Sequence, residues 1–167
     1  GIFMLLKVKQ FKPDAKLPTR GSAEAAGLDL YSYDDRVLPP GVVVAISTGI
    51  SVEIPTGNFG LICDRSGLAS KGITTQAVKV APGAFDFWES HGEQCCYALG
   101  GVIDSDYRGE LKVLLLNTSD KEVLIKTGDR VAQMIVMEHL KPQPIMITDG
   151  ELTATDRGTK GLGSTGK

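Results

Sequence analysis

The feature that most constrains this chain is an alternation of apolar and polar residues with a period of two. In Leu6–Gln10 two apolar residues alternate with lysines, and in Ile50–Ile54 three apolar residues alternate with Ser51 and Glu53. This period predicts strands with one face towards water. Further β-rich runs are Val42–Ile46, Phe59–Cys63, Leu111–Leu116 and Arg130–Met137.

Turn residues separate these runs. They are concentrated at Pro39–Gly41, Pro55–Asn58 and Thr127–Asp129, in a chain that holds 20 glycines and 8 prolines. Strands that recur about every ten residues between such turns favour a β-sandwich or barrel. The one helix we expect is short: Ser66 is a suitable N-cap for Gly67–Lys71. A length of 167 residues suits a single all-β domain.

Composition excludes several classes of protein. A formal net charge of −2 lacks the basic footprint of a duplex-binding protein, so we expect no nucleic-acid partner. Apolar runs fall short of the roughly 18 residues that span a bilayer, and no signal peptide is evident. We therefore expect no membrane association and an intracellular, cytoplasmic or nuclear, location. Three cysteines and two histidines, none in a metal-ligand spacing, predict neither a disulfide framework nor a protein-held metal.

The segment Asp156–Lys167 differs in composition from residues 1–155 and is interpreted as a flexible C-terminal arm. It carries four glycines within twelve residues, together with Arg157, Ser164 and Thr165. Main-chain amides without a Cβ nearby, hydroxyls and a cation can bind phosphate oxygens. The alternative is a disordered polar tail. Gly161–Lys167 fits the first seven positions of a Walker A loop, but we expect no P-loop, because the Ser/Thr and the helix of that motif do not follow in this sequence.

Two further segments are candidates for chemistry. In Asp64–Ala69 a strand meets the predicted helix, so Arg65 and free N–H groups could hold an anion; the alternative is a simple cap. In Gly100–Gly109 an apolar pair leads to Asp104, Asp106 and Tyr107, which we interpret as a hairpin tip. Its carboxylates could activate a water, and its ring could stack on a flat ligand; the alternative is a solvated turn.

The order of the segments is more specific than any one of them. AGLDLYS, DRSGLASK, GGVIDSDYRGELKV, GDRVAQMIV and RGTKGLGSTG follow one another along the chain, at Ala26–Ser32, Asp64–Lys71, Gly100–Val113, Gly128–Val136 and Arg157–Gly166. Together they resemble the five motifs of the trimeric dUTP pyrophosphatase (dUTPase) family. The resemblance covers nearly the whole chain except Gln76–Leu99.

This resemblance implies a fold, an activity and an assembly. The fold would be a jelly-roll-like β-sandwich, and the reaction would be hydrolysis of dUTP to dUMP and pyrophosphate by water attack on the α-phosphate. That reaction limits uracil in DNA and supplies dUMP for dTTP synthesis. Three chains would share three active sites. Mg²⁺ would be held by the triphosphate and waters, with no direct protein ligand.

The resemblance also assigns roles to residues. Asp104 would be the general base, and Tyr107 would pack beneath the deoxyribose and refuse a ribose. Uracil would be read by main-chain groups of the hairpin, and Asp29 would be structural near the site. The hairpin residues that read uracil would be Gly101, Val102 and Ile103. The phosphate-binding residues would be Arg65, Ser66, Gly67 and Gln133. The lid residues would be Arg157, Leu162, Gly163, Ser164 and Thr165.

Two positions depart from the family pattern. Leu162 stands where a Phe usually stacks on uracil, so we expect a weaker lid, by about 1 kcal/mol. Gln76–Leu99 is interpreted as an unusual insertion before the uracil-reading hairpin. It could be a loop that costs little closure entropy, a site for an unknown partner, or sequence not normally present in the working protein.

Two other functions remain open at this point. One is a dCTP deaminase-type enzyme of the same fold, which would need an acid/base Glu beside the base. The other is a non-catalytic or regulatory trimeric relative whose site is blocked by the insertion. The dUTPase reading is favoured because Asp104, Tyr107, Arg65, Gln133 and Arg157 are all present.

Overall fold

The structure is a computed structural model that describes residues 4–65, 96–148, 150 and 152–161. These residues form eleven strands and no helix. The strands are β1 Lys7–Gln10, β2 Leu28–Tyr31, β3 Arg36–Leu38, β4 Val43–Ser47, β5 Ile50–Glu53, β6 Asn58–Cys63, β7 Cys96–Leu99, β8 Gly101–Ile103, β9 Lys112–Asn117, β10 Val123–Ile125 and β11 Arg130–Glu138.

All strand pairs are antiparallel, and the two larger sheets join strands that are distant in sequence. One sheet has the order β2-β11-β6-β8 and the other β4-β9-β7, while β1-β5 and β10-β3 are two-stranded ribbons. Long crossovers between non-consecutive strands are typical of jelly rolls. The expected all-β, jelly-roll-like fold is therefore confirmed.

One hydrophobic core lies between the two larger sheets. Leu30, Val131 and Met134 from the four-stranded sheet share a buried cluster with Val113 and Leu115 from the three-stranded sheet. On β9 the buried and exposed residues alternate, as the period of two requires. This packing fixes the four-stranded sheet, whose strands carry Asp29, Gln133 and Gly101–Ile103.

The six strands predicted from alternation and β-rich runs are all present, with no end shifted by more than one residue. Their turns also form as expected: Gly41, Gly57 and Gly128 adopt φ of 69°, 88° and 86°, a region that suits glycine. The predicted wet face of β5 is wrong at Ser51, which is buried. The predicted helix Gly67–Lys71 lies outside the described residues.

The predicted hairpin after Gly100 is not a two-stranded ribbon. β8 pairs with β6, whereas β9 pairs with β4 and β7 in the other sheet. The chain between them crosses from one sheet to the other, through a turn closed by Tyr107 N donating to Asp104 O at 3.1 Å. The sequence predicted the turn and the strand that follows it, but not that the strands on either side of the turn join different sheets.

The segment Gln76–Leu99 ends in regular structure. Its last four residues form β7, in which Cys96 and Ala98 are buried and pair with β9. Any loop excursion in this segment therefore ends before Cys96, and residues 76–95 lie outside the described part of the chain. Among the described residues, the structure has no helix long and apolar enough to cross a membrane.

Candidate active site

A buried carboxylate joins the first, second and fourth motifs. Asp29 on β2 is 8% exposed, and its Oδ1 accepts a hydrogen bond from Arg65 Nε at 2.7 Å. Arg130 at the start of β11 places Nη1 3.6 Å from the other carboxylate oxygen. The strand order brings these residues together, because β11 lies between β2 and β6. Two guanidinium groups thus compensate one buried charge, as a buried carboxylate requires.

Gln133 lies in the centre of the same sheet. It is opposite Asp29 on one side and Cys63 on the other, and its Nε2 donates to Asp64 O at 2.7 Å. A methyl group on Gly27 would lie 2.1 Å from Gln133 Oε1. The glycine of the first motif therefore makes room for the glutamine of the fourth.

Asp64 links this cluster to the other sheet, since its Oδ1 accepts a hydrogen bond from Ala98 N on β7. The end of β6 is thereby tied to β11 through the Asp64 carbonyl and to β7 through its carboxylate. Arg65 follows directly, and its guanidinium donates to Asp29 Oδ1 and to Arg130 O. Ser66 and Gly67, which the resemblance pairs with Arg65, lie outside the described residues.

The third motif forms a separate group. β8 is the edge strand of its sheet, so its main-chain groups that point away from β6 have no strand neighbour in the described part of the chain. Val102 is 61% exposed, and Ile103 packs partly against the core. Asp104 is exposed in the turn that follows, where its carboxylate can reach a ligand.

Tyr107 is fixed at the end of this turn. Its Oη donates to Glu110 O at 2.9 Å, and a methyl group on Gly109 would lie 2.3 Å from that Oη. The ring therefore packs against Gly109 and remains 44% exposed. It can offer an apolar surface to a flat or cyclic ligand.

The two groups lie towards opposite ends of β6. Ile103 pairs with Gly60, which is five residues before Arg65, so at about 3.3 Å per residue an extended chain would place these backbone positions up to about 16 Å apart. Within one chain, Asp104 and Arg65 thus belong to different ends of the sheet. The structure brings Asp29, Arg65 and Gln133 together and leaves Asp104 and Tyr107 apart from them.

The last motif is described only in part. Arg157 is exposed and its Nε donates to Lys160 O at 3.0 Å, within a turn closed by Lys160 N donating to Arg157 O at 3.2 Å. Leu162, Gly163, Ser164 and Thr165 lie outside the described residues. Among the residues that are described, no group of three or more His, Cys, Asp or Glu side chains is arranged to hold a metal.

The sequence reasoning did not single out Arg130 or Glu110. Arg130 was visible only as part of a turn entering a strand, and its proximity to Asp29 depends on the β2–β11 pairing. Glu110 stands directly before the apolar run of β9 and is 8% exposed. A charged residue next to a core strand was the available signal.

The chain resembles known dUTPases over most of its length. The dUTPase family model matches residues 13–86 and 90–166. The chain is 43% identical to the deoxyuridine 5'-triphosphate nucleotidohydrolase of Paramecium bursaria Chlorella virus 1, over 96% of this chain and 97% of that protein. It is 39% identical to that of Saccharomyces cerevisiae, over 97% and 95% of the two chains.

Solved structures share the fold. A Staphylococcus bacteriophage 80alpha dUTPase mutant with dUpNHpp superposes with a TM-score of 0.77 at 24% identity, covering 98% of this chain and 99% of that one. A dUTPase from phage phi11 of S. aureus, described with a species-specific insert, gives a TM-score of 0.69 at 22% identity over 89% and 99%. On the family-model match and the identity of its relatives, the chain belongs to the dUTPase family.

Proposed function

We propose that this chain hydrolyses dUTP to dUMP and pyrophosphate. The observation that carries the proposal is the turn after β8, which presents an exposed Asp104 carboxylate and a Tyr107 ring packed against Gly109, beside a strand edge that has no neighbour among the described strands. One short segment thus provides a candidate general base, a ring that can pack against a sugar, and main-chain hydrogen-bond donors and acceptors. Membership of the dUTPase family supplies the substrate class.

The base and the sugar would be recognised on the third motif. Main-chain groups of Gly101, Val102 and Ile103 on the outer edge of β8 would read uracil by hydrogen bonds. Tyr107 would pack beneath the deoxyribose, where a 2′-hydroxyl would not fit. Asp104 would accept a proton from the water that attacks the α-phosphorus, which leaves pyrophosphate as the departing group.

The phosphates would be held by the other motifs. A guanidinium carries five N–H donors, and the bonds from Arg65 to Asp29 and to Arg130 O use two of them. Arg65 with Ser66 and Gly67 would bind phosphate oxygens, and Gln133 would contact the α-phosphate. Arg157 with Leu162, Gly163, Ser164 and Thr165 would close over the nucleotide and exclude bulk water.

Magnesium is the metal that we propose for this reaction. Its preferred ligands are oxygens, and it commonly keeps several waters while binding substrate phosphates. When bound across the triphosphate, Mg²⁺ would neutralise charge and orient the leaving pyrophosphate. On the protein side, Arg65 and Arg157 would bind phosphate oxygens, which suits a metal carried by the substrate.

We further propose that each site is shared between chains of a homotrimer. The separation of up to about 16 Å along β6 between Ile103 and Arg65 supports a site completed by a second copy. The outer face of the three-stranded sheet offers a contact surface: Val43, Leu114, Tyr97 and Leu99 leave more than a third of each side chain exposed. Contiguous apolar patches of this kind mark association sites.

The proposed reaction is tested by measuring pyrophosphate and ammonia release from dUTP, UTP, dCTP and dTTP with Mg²⁺ present. We expect pyrophosphate from dUTP alone, with Asp104→Asn at least 100-fold slower, as for loss of a general base. Ammonia from dCTP would identify a deaminase instead. Binding of dUTP without turnover of any nucleotide would identify a non-catalytic relative.

A further inference from the structure

A buried carboxylate lies directly behind the proposed sugar-binding turn. Glu110 is 8% exposed, and its Oε1 accepts hydrogen bonds from Ser47 Oγ and from Gly49 N, the latter at 3.3 Å. Lys12 Nζ lies 3.7 Å from the same oxygen and donates to Ser47 Oγ at 2.9 Å. The end of β4, the link between β4 and β5, and the segment that follows β1 thus converge on one oxygen atom.

The main chain next to Glu110 is fixed to the same segment. Leu111 N donates to Ile50 O at 2.8 Å, and Thr48 Oγ1 donates to Leu111 O at 2.6 Å. Residues 110 and 111 are therefore bound to residues 47–50 through both side chain and backbone. The chain has little freedom to move where it leaves the turn.

Tyr107 takes its position from this anchored stretch. Its Oη donates to the Glu110 carbonyl at 2.9 Å, and the ring is seated on Gly109, where a methyl group would lie 2.5 Å from Cζ. The backbone of residues 109 and 110 thus sets the position of the Tyr107 ring. That backbone is in turn held by the Glu110 carboxylate.

We propose that Glu110 is a positioning residue that sets the discrimination between deoxyribose and ribose through Tyr107. The inference rests on the proposed function, in which Tyr107 packs beneath the sugar. A 2′-hydroxyl is one oxygen larger than hydrogen, so a ring that can recede slightly would admit it. An apolar residue at position 110 would avoid the cost of burying a carboxylate. The Glu110 carboxylate instead accepts hydrogen bonds from Ser47 and Gly49 and forms an ion pair with Lys12.

The test measures sugar selectivity separately from turnover. Dissociation constants for dUDP and UDP give selectivity by binding, and kcat/KM for dUTP and UTP gives it by reaction. We expect Glu110→Ala to lower the preference for the deoxynucleotide about tenfold by both measures, the scale of one misplaced contact. Glu110→Gln, whose amide oxygen can still accept from Ser47 and Gly49, should restore most of it.

Coupling to Tyr107 is tested by a double-mutant cycle. Tyr107→Phe removes the hydrogen bond to the Glu110 carbonyl and should lower the selectivity in the same way. The double variant Tyr107→Phe with Glu110→Ala should be no less selective than the worse single variant. Independent, additive losses would overturn the proposal.

A matched control separates positioning from general destabilisation. Asn117 is fully buried at the far end of β9 and donates to Leu38 O and Lys121 O. Asn117→Ala should lower the melting temperature without changing the dUDP/UDP preference. If it lowers the preference as much as Glu110→Ala does, or if folded Glu110→Ala keeps wild-type selectivity, the proposal is wrong.

A second variant covers the case in which Glu110→Ala does not fold. Ser47→Ala removes one donor to the carboxylate and should lower the preference several-fold; an unchanged preference contradicts the proposal. Because selectivity is read from dUDP and UDP binding, a wild-type chain that binds but does not hydrolyse would refute the proposed reaction alone.

Discussion

Single residues in this protein are constrained by contacts that cross from one motif to another. Gly27 belongs to the first motif but is required by Gln133 of the fourth, since any side chain would enter the space of its amide oxygen. The sequence marked both as site residues or their neighbours through the family resemblance. It could not show that they touch, because the contact depends on the β2–β11 register.

Gly27→Ala tests this contact at the residue scale. The added methyl group should push Gln133 away from Asp64 O, so kcat/KM for dUTP should fall about tenfold. The free energy of unfolding should fall by only about 1–2 kcal/mol, because the side chain can move aside. Gly21→Ala, which has open space around its Cβ, is the control and should leave both values unchanged.

At the scale of elements, short links hold the turns in register. Asp35, between β2 and β3, accepts hydrogen bonds from Thr127 N at 2.8 Å and Thr127 Oγ1 at 3.1 Å, in the turn before β11. These bonds, the backbone N–H first, lower the pKa of the Asp35 carboxyl below its usual 3.8, and Lys126 adds to the effect. A carboxyl whose pKa is lowered on folding stabilises the fold above its unfolded pKa.

Asp35→Asn should therefore lower the urea midpoint at pH 7. The stability that the carboxylate contributes is lost as pH falls through its folded pKa, which lies below 3.8, so the gap between the midpoints of variant and wild type should be narrower at pH 3 than at pH 7. Asp120→Asn removes the same charge from another exposed loop and is the matched control, in which the gap should not narrow in this way. A gap between Asp35→Asn and wild type that is as wide at pH 3 as at pH 7 would contradict this account.

The elements that sequence reasoning missed are among the shortest. β2, β3, β7, β8 and β10 have three or four residues each, and none lies in an alternating run of five residues such as Leu6–Gln10 or Ile50–Ile54. Their identity comes from the partner strand, as with β7 on β9. Pairing also explains the hairpin error: a local pattern can indicate the turn after β8 and the strand β9, but not that β8 and β9 join different sheets.

At the scale of the whole molecule, the distribution of the motifs determines what one chain can do. Asp29, Arg65 and Gln133 lie at one end of β6, and Asp104 and Tyr107 belong with the other. In a closed trimer, one chain would supply the base and the sugar platform to each site and a neighbour would supply Arg65. Activity should therefore depend on association.

Mixing inactive chains tests this sharing. Asp104→Asn and Arg65→Gln chains should each be inactive alone, whereas trimers formed by co-expressing equal amounts should recover about a quarter of wild-type activity, since a quarter of the sites draw both native groups. Asp104→Asn mixed with Tyr107→Ala is the matched control and should recover nothing, because both residues come from one chain. Recovery in the control, or none in the test pair, would rule out the sharing.

The sequence by itself determined the all-β class, most strands and turns, and, through five ordered motifs, the family. These follow from local physics: alternation sets the faces of a strand, and glycine or proline sets a turn. Only the tertiary structure decided that Glu110 is buried behind Tyr107, that Arg130 joins Arg65 at Asp29, and that β8 and β9 separate. Those facts depend on pairing between strands far apart in the chain, which no local pattern encodes.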